Sequence, residues 1–350
     1  MSEHHKIIII GAGLSGLYGA WKLQQKQLDV LILEARPRIG GRILTSNQLD
    51  MGPAWVWPQL QTRLQQLLLD LKLNVFPQYT HGTILYEKSA NQKERYHAPS
   101  AHQNSYRIEG GAECLINALR SQLSETQVHL NTIVNSIDEL NLCVHTLRDG
   151  KAFVYTADKI ILALPPRLFL QNIEFSPDFS NQQKSELENI STWMAGHSKM
   201  LFIYEKPFWR DKKLSGEVFS HHGPLSEIYD GSPVDESFYA LTAFVGLSAQ
   251  QRKQIAPEQL LNACMAQLQR LFGDESAKVK DVQIQDWSQE IFTTSVVDLT
   301  SPAQHPQYPE NIPRAFWDGN LILAGTEAAR EHGGYLEGAL ESADEAIGLL

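Results

Sequence analysis

The residues best equipped for chemistry begin with a glycine run, Gly11-Ala12-Gly13-Leu14-Ser15-Gly16, set directly after the apolar stretch 6–10. At this spacing the first glycine makes a tight turn, the second admits a pyrophosphate, and the third lets a helix pack on a strand. Glu34 closes the next apolar stretch, where a carboxylate accepts the ribose hydroxyls of an adenosine. Glycines alone say little; strand, turn, helix, strand and acid together specify a dinucleotide site. Just beyond, Arg36-Pro37-Arg38-Ile39-Gly40-Gly41-Arg42 adds two glycines that let backbone approach a ligand, and arginines that can meet phosphate charge. Lys199 lies inside the apolar run Ser198-Lys199-Met200-Leu201-Phe202-Ile203-Tyr204. A lysine there is either buried with a partner or sits at a sheet edge reaching solvent. His332, before Gly333-Gly334-Tyr335, could take a proton or orient a ligand as a neutral imidazole, or be a loop histidine without a role.

The elements that must position these residues can be read from periodicity. Residues 6–10 and 28–33 read as strands and 14–25 as the helix between them, a βαβ unit. Leucines at helical spacing predict a helix over 60–73, followed by a stretch without clear period to about residue 105. A helix over 112–123 precedes short strands at 128–130, 143–147, 153–156 and 160–163. Strands at 199–204 and 239–245 precede a helix over 257–272. A Pro-rich loop, 301–313, leads to a last strand at 320–324 and a helix from 335 to the end. Because the first and last segments both read strand, glycine turn, helix, the nucleotide domain must be discontinuous. The expected division is 1–76, 106–170 and 294–350 for that domain, with 77–105 and 171–293 forming a second domain of mixed sheet and helix. The fold class is α/β, with an α+β second part.

Composition narrows the partners. A chain of 350 residues with 43% apolar content buries a large core without staples, and its formal charge of −10 offers no electrostatic footprint for nucleic acid or an anionic membrane. Cys114, Cys143 and Cys264 are far apart and odd in number, which argues against disulfides and thiolate metal sites and fits a reducing compartment. No stretch reaches the roughly 20 apolar residues needed to span a bilayer, so a cytoplasmic location and a small-molecule partner are expected. His4 and His5 read as an inert exposed pair near a frayed terminus. Glu331, Glu337 and Glu341 read as a solvated face of the last helix.

Taken together, the motifs resemble those of the flavin-dependent amine oxidases, of monoamine oxidase type. The resemblance rests on Leu33-Glu34-Ala35 with the second glycine run, on Leu49-Asp50-Met51-Gly52 through Pro53, Ala54 and Trp55, and most strongly on the C-terminal residues. There Leu323-Ala324-Gly325-Thr326-Glu327 is followed by Gly333-Gly334-Tyr335-Leu336-Glu337-Gly338-Ala339. It implies a Rossmann-like fold binding FAD, with Val134 and Trp287 among the contacts, Glu327 on the ribityl chain, and N–H groups of the last helix facing the pyrimidine edge of the flavin, where negative charge gathers on reduction. It also implies that Lys199 reaches flavin N5 through water, and that Tyr335 is one of two tyrosines flanking the amine. The activity implied is removal of the α C–H hydrogen of a small amine as a hydride to flavin N5, hydrolysis of the imine, and reoxidation by dioxygen giving hydrogen peroxide.

Two departures from the family pattern carry consequences. Aligning 287–292 places Val296 where some members have a flavin-linking cysteine and Val297 where the second tyrosine stands, so FAD should be noncovalent; Trp287, Phe292, Phe244 and Trp57 either supply aromatic walls instead or serve as core packing. The segment from Gly52 to Tyr106 is short, so the cap over the site is reduced, leaving a more open face or one closed by a homo-oligomer or partner. The membrane-anchoring tail of the mitochondrial enzymes has no counterpart before Leu350. Alternatives at this level are a flavin dehydrogenase or desaturase of a larger apolar molecule, an amino-acid oxidase using Arg107 or Arg167 for a carboxylate, a protein-substrate oxidase, and a non-catalytic flavin-binding partner protein.

Overall fold

The computed structural model describes residues 3–100, 102–124, 126–301, 304–309 and 311–350. Its centre is the run of four isoleucines, β-branched and suited to a pleated interior. They belong to the strand Glu3–Ile10, which pairs in parallel with Val30–Leu33 and with Lys151–Leu162. Ile7 and Ile9 enter one core cluster and Ile8 and Ile10 another, so both faces are covered and the strand reads as continuously apolar. This is a nine-stranded sheet, ordered Glu174–Ser176, Thr132–Asp138, Cys143–Arg148, Lys151–Leu162, Glu3–Ile10, Val30–Leu33, Gln127–His129, with Leu321–Leu323 also on Lys151–Leu162 and Ala315–Phe316 beyond it. The helices Leu14–Gln25, Glu113–Gln122 and Leu336–Gly348 cover one face.

The second sheet has seven strands, ordered Asp281–Asp286, Ser198–Tyr204, Tyr239–Val245, Leu225–Asp230, Leu214–Ser220, Thr83–Ser89, Gln92–Tyr96. Alternation sorts the strand Ser198–Tyr204, second from one edge. Met200, Phe202 and Tyr204 pack with Leu260, Cys264, Leu268 and Leu271 of the helix Pro257–Phe272, whose spacing keeps them on one stripe. Lys199 and Leu201 therefore face the other way, and Leu201 packs on Leu49 and Met51. Fully burying a leucine such as Leu268 contributes roughly 2 kcal/mol.

The α/β class and the α+β second part are as the sequence predicts, and the helices at 14–25 and 257–272 and the strand at 239–245 match the expected bounds. Other expectations are corrected. The first strand starts at Glu3, so His4 and His5 are paired in a sheet, and His5 is buried with Nδ1 3.0 Å from Asp29. Residues 153–156 and 160–163 form one strand, Lys151–Leu162, whose first half pairs antiparallel with Cys143–Arg148 and whose second half lies between Glu3–Ile10 and Leu321–Leu323. The stretch before residue 105 contains the strands Thr83–Ser89 and Gln92–Tyr96. Glu174–Ser176, expected in the second domain, pairs in the nine-stranded sheet instead. Of the Pro-rich loop 301–313, residues 302, 303 and 310 lie outside the described residues.

Candidate active site

One cavity of about 890 Å³ runs between the two sheets. At one end lie the first glycine run and the strand tips beside it. Gly11, Gly13, Leu14 and Ser15 line it, together with Glu34, Ala35, Arg36, Gly40, Gly41 and Arg42. Gly16 does not; it lies beneath, where a Cβ would stand 2.0 Å from the Gly11 carbonyl oxygen, so only glycine lets this helix approach its strand. The helix Leu14–Gln25 has Gly13 at its N-cap with no side-chain capping bond, which leaves its first N–H donors for a ligand. The N–H of Gly40 donates to the Ala12 carbonyl (2.8 Å), seating the second glycine run on the first. Glu34, buried, accepts the N–H of Ala12 (2.8 Å) and of Arg36 (2.9 Å) and keeps further lone pairs for an incoming hydroxyl. Arg36 donates to Thr293 Oγ1 (2.7 Å).

The middle of the cavity is walled by Met51, Gly52, Pro53, Ala54 and Trp55, with Val134, Trp287, Gly325, Thr326, Gly334, Tyr335 and Leu336. Two side chains, one from the turn just after the strand Asp281–Asp286 and one from the strand Ser198–Tyr204, pin the 51–52 backbone. Trp287 Nε1 donates to the Met51 carbonyl (3.1 Å), and Lys199 Nζ donates to the Gly52 carbonyl (2.9 Å). Glu327 stands just outside the cavity. It is fully buried, ion-paired through Oε1 with Arg42 Nη1 (2.7 Å), and its Oε2 has no partner among the described residues. Burial alone would lower the Arg42 pKa, and Glu327 outweighs it, so Arg42 is held above the ordinary arginine value.

Lys199 is 2% exposed and paired on both sides within the seven-stranded sheet, which excludes the sheet-edge alternative. Its Nζ lies 5.6 Å from the centre of the Trp55 ring and 5.4 Å from that of Phe244. Burial lowers its pKa to about 8, with Asp50 pulling it up and Arg107 pushing it down. The lysine is therefore poised near neutrality while remaining a donor.

Tyr335 has an aromatic setting without the family's second tyrosine, as the valine at 297 implies. Val296 and Val297 are 70% and 54% exposed and line no part of the cavity. Trp193 (ring centres 4.8 Å), His305 (5.1 Å, stacked) and Trp57 (6.5 Å, edge-on) surround Tyr335 instead. Gly334 has φ +84°, and a Cβ there would press on Trp193 at 3.0 Å, so glycine permits this box. Phe292, Phe244 and Trp57 all line the cavity. Trp193, His305, His102, Glu227 and Tyr229 also do, and the sequence reading missed them: they sit on aperiodic loops and on one strand that it did not find.

His332 is not brought into the site. Its ring turns toward Glu341 (Nδ1 to Oε2, 3.5 Å), because Glu341 already gathers the N–H groups of Arg330 (2.7 Å), Glu331 (3.1 Å) and His332 (3.2 Å). Nor do Glu337 and Glu341 form a solvated face. Both are buried, and Glu337 accepts the N–H of Arg63 (3.1 Å) and Leu64 (2.8 Å) at the start of the helix Thr62–Asp70. Arg107 and Arg167 line no part of the cavity; they serve the Ser232 carbonyl (2.8 Å) and Asp298 (2.8 Å), so neither is placed to clamp a substrate carboxylate.

A two-sheet fold with a dinucleotide cradle opening onto a buried lysine is the architecture of a flavin-dependent oxidoreductase. The family described as flavin containing amine oxidoreductase matches residues 14–102 and 85–346, and the chain belongs to it. It is 23% identical to a probable flavin-containing monoamine oxidase A of Dictyostelium discoideum, across 98% of this chain and 96% of that protein. It is also 23% identical to amine oxidase [flavin-containing] B of Canis lupus familiaris, across 99% and 86%. The first of these alignments spans 447 positions, more than the 350 residues present, so this chain covers its relative with internal deletions. A putrescine oxidase solved with putrescine superposes with a TM-score of 0.82 at 21% identity over 100% of this chain and 99% of that one. Cyclohexylamine oxidase from Brevibacterium oxydans IH-35A gives 0.79 at 18% over 99% and 98%. The fold is thus shared from end to end, and the protein is an amine oxidoreductase of the flavin-containing class.

The residues present fit such a cofactor. The uncapped helix start and stacked glycine runs suit a pyrophosphate, Glu34 suits a ribose, and the unpartnered Glu327 Oε2 beside Gly325 suits a polyhydroxyl chain. The helix Leu336–Gly348 also begins without a side-chain cap, with Leu336 and Ala339 on the cavity.

Proposed function

We propose that the chain oxidises a small amine with noncovalently bound FAD and dioxygen, converting a primary amine, O2 and water into a carbonyl compound, ammonia and hydrogen peroxide. The observation that carries this reading is the cavity joining the dinucleotide cradle to buried Lys199 between aromatic walls. When bound, FAD supplies the two-electron chemistry, accepting the α hydrogen of the amine as a hydride and later yielding both electrons to dioxygen. The chain's own residues do the rest. Lys199 holds a proton donor in a buried setting beside Gly52, where a developing negative charge is best compensated. The face of Tyr335, braced by Trp193 and His305, orients the amine nitrogen. None of Cys114, Cys143 and Cys264 lines the cavity. No helix among the described residues is long and apolar enough to cross a membrane.

We also read 1–76, 106–170 and 294–350 as the FAD-holding part and 77–105 with 171–293 as the substrate part. The seven strands of the second sheet all fall in the latter, which supports the division apart from Glu174–Ser176.

The deciding measurement is an anaerobic absorbance titration of the purified flavoprotein with primary, secondary and polyamines, followed by air. Bleaching of the flavin band by one class, then recovery with peroxide, is expected. A flavin that no amine reduces would defeat the proposal.

A further inference from the structure

We infer that His305 is the proton acceptor for the substrate, taking one proton from the ammonium form of the amine at Tyr335 on its Nδ1 and passing that proton to solvent. This rests on the amine-oxidation reading above and deepens it. Only a neutral amine has the lone pair that lets its α hydrogen leave as a hydride, and an alkylammonium such as that of lysine holds its proton to about pH 10.

One contact fixes the tautomer. His305 Nε2 lies 2.9 Å from the Gly333 carbonyl oxygen, and a carbonyl only accepts, so Nε2 carries the ring proton and the lone pair of the neutral imidazole is on Nδ1. A Cβ on Gly333 would stand 2.3 Å from the Tyr308 ring, so glycine is what lets the loop carrying His305 and Tyr308 close on this turn. Nδ1 makes no hydrogen bond among the described residues. The imidazole stacks on Tyr335 with ring centres 5.1 Å apart and stands edge-on to Trp193 at 4.5 Å, so a nitrogen held at Tyr335 is within one water molecule of it. His305 lines the cavity and is also exposed, which gives the proton a way out. One N–H bond of the ammonium breaks as one forms at Nδ1, and the imidazolium then returns its proton to water.

The other groups of the cavity are engaged elsewhere or resist a proton. His102 and His197 line it too, but burial lowers the His102 pKa to about 4 and lowers that of His197 as well, with Arg252 adding to the effect. Lys199 donates to the Gly52 carbonyl. Glu34 accepts two backbone N–H groups, Asp298 is paired with Arg167 at 2.8 Å, and Glu227 accepts a hydrogen bond from Tyr229 Oη at 2.6 Å. The titratable groups packed on His305 are Tyr335 and Tyr308, the latter with its ring centre 5.8 Å away. Burial raises the pKa of both, so both stay uncharged. The charges acting on Tyr308 are Glu327, Arg42 and Asp298, and these are spent on one another and on Arg167. No ion pair among the described residues engages His305.

The test follows kcat/KM for a primary amine against pH on the FAD-loaded enzyme and its His305→Gln variant, whose amide can still donate to the Gly333 carbonyl but takes up no proton. The wild type should be flat between about pH 7.5 and about pH 9.5, while H305Q climbs about tenfold per pH unit toward the substrate's own pKa. The variant should therefore lie roughly a hundredfold below wild type at about pH 7.5 and within about threefold of it by about pH 10.5. His305→Ala should show the same climb. A loss of equal size at every pH means that His305 only braces Tyr335 and overturns the proposal, as does an unchanged profile; either leaves amine oxidation standing. A flavin that no amine reduces defeats the oxidation reading and this one with it. The tautomer is read without turnover, by nitrogen NMR of isotope-labelled histidine, with the His305 signals identified by their loss in H305Q. The proton should be on Nε2; a proton on Nδ1 instead overturns the assignment whatever the kinetics.

Discussion

On the nine-stranded side the cavity wall is largely backbone, with Gly11, Gly13, Gly40 and Gly41 withholding side chains so that N–H groups approach a ligand; on the seven-stranded side it is side chains, Lys199, Phe244 and Glu227 standing in a row across three strands. The first arrangement is local, because a turn and a helix start need only consecutive residues. The second depends on which strands become neighbours and where a bulge falls. A cofactor shared by many enzymes is thus held by what every residue has, and a substrate by what particular residues carry.

The harshest way to break this comparison is to put a side chain into the backbone half. Gly16→Val would thrust a Cβ to within 2.0 Å of the Gly11 carbonyl oxygen, and neither the strand nor the helix can retreat without deforming the turn between them. Overpacking of this kind costs at least roughly 1–3 kcal/mol. The variant is expected to purify without flavin, measured as flavin absorbance per protein. Full flavin content would show that the cradle tolerates distortion and that its backbone geometry matters less than argued.

A smaller effect is expected from the side-chain half. Lys199→Met should retain FAD while slowing reoxidation of the reduced enzyme by roughly a hundredfold, read by stopped-flow mixing with aerated buffer. An unchanged rate would take Lys199 out of the reaction. The substitution also carries a pH signature of defined sign. Folded Lys199 loses its proton near pH 8, whereas an unfolded lysine keeps its own until well above that. Below pH 8 the buried charge detracts from stability in full. Between pH 8 and the ordinary lysine range the unfolded chain binds more protons, so wild-type stability rises with pH. The stability of K199M relative to wild type should fall by up to about 3 kcal/mol from pH 7 to pH 10, whatever the cost of the lost bond to Gly52. Parallel denaturation profiles across that range would contradict the burial of a titrating lysine.

What the sequence made legible follows the same division. The opening βαβ unit was readable because its isoleucines, glycines and Glu34 act through immediate neighbours. Lys199 was noticeable because its charge interrupts an apolar run, though not that both neighbouring strands would seal it in. Glu227 gave no such contrast. The strand Leu225–Asp230 is broken in register by its bulge, so its alternation fails over the residues that line the cavity. Trp193 and His305 come from loops, and only the fold brings them against Tyr335. Val296 and Val297, where the alignment finds no cysteine and no second tyrosine, lie exposed and off the cavity, and the rings around Tyr335 come from other segments.

His332 sharpens that lesson because its sequence position, one turn before Tyr335, made it the natural candidate for proton transfer. Its backbone N–H and its ring are both claimed by Glu341, which itself ties down three successive N–H groups, so the ring is held away from the cavity. Removing the imidazole leaves those three backbone bonds intact and forfeits only one partly exposed charge contact at 3.5 Å. His332→Ala is therefore expected to change kcat and KM less than about twofold and to cost less than about 1 kcal/mol of stability. His305→Ala is the informative contrast, since it strips the stacked ring from Tyr335 and should raise KM for the amine while His332→Ala does not. Loss of turnover in the His332 variant with an intact His305 would restore the catalytic role as one of the two readings the sequence offered for His332.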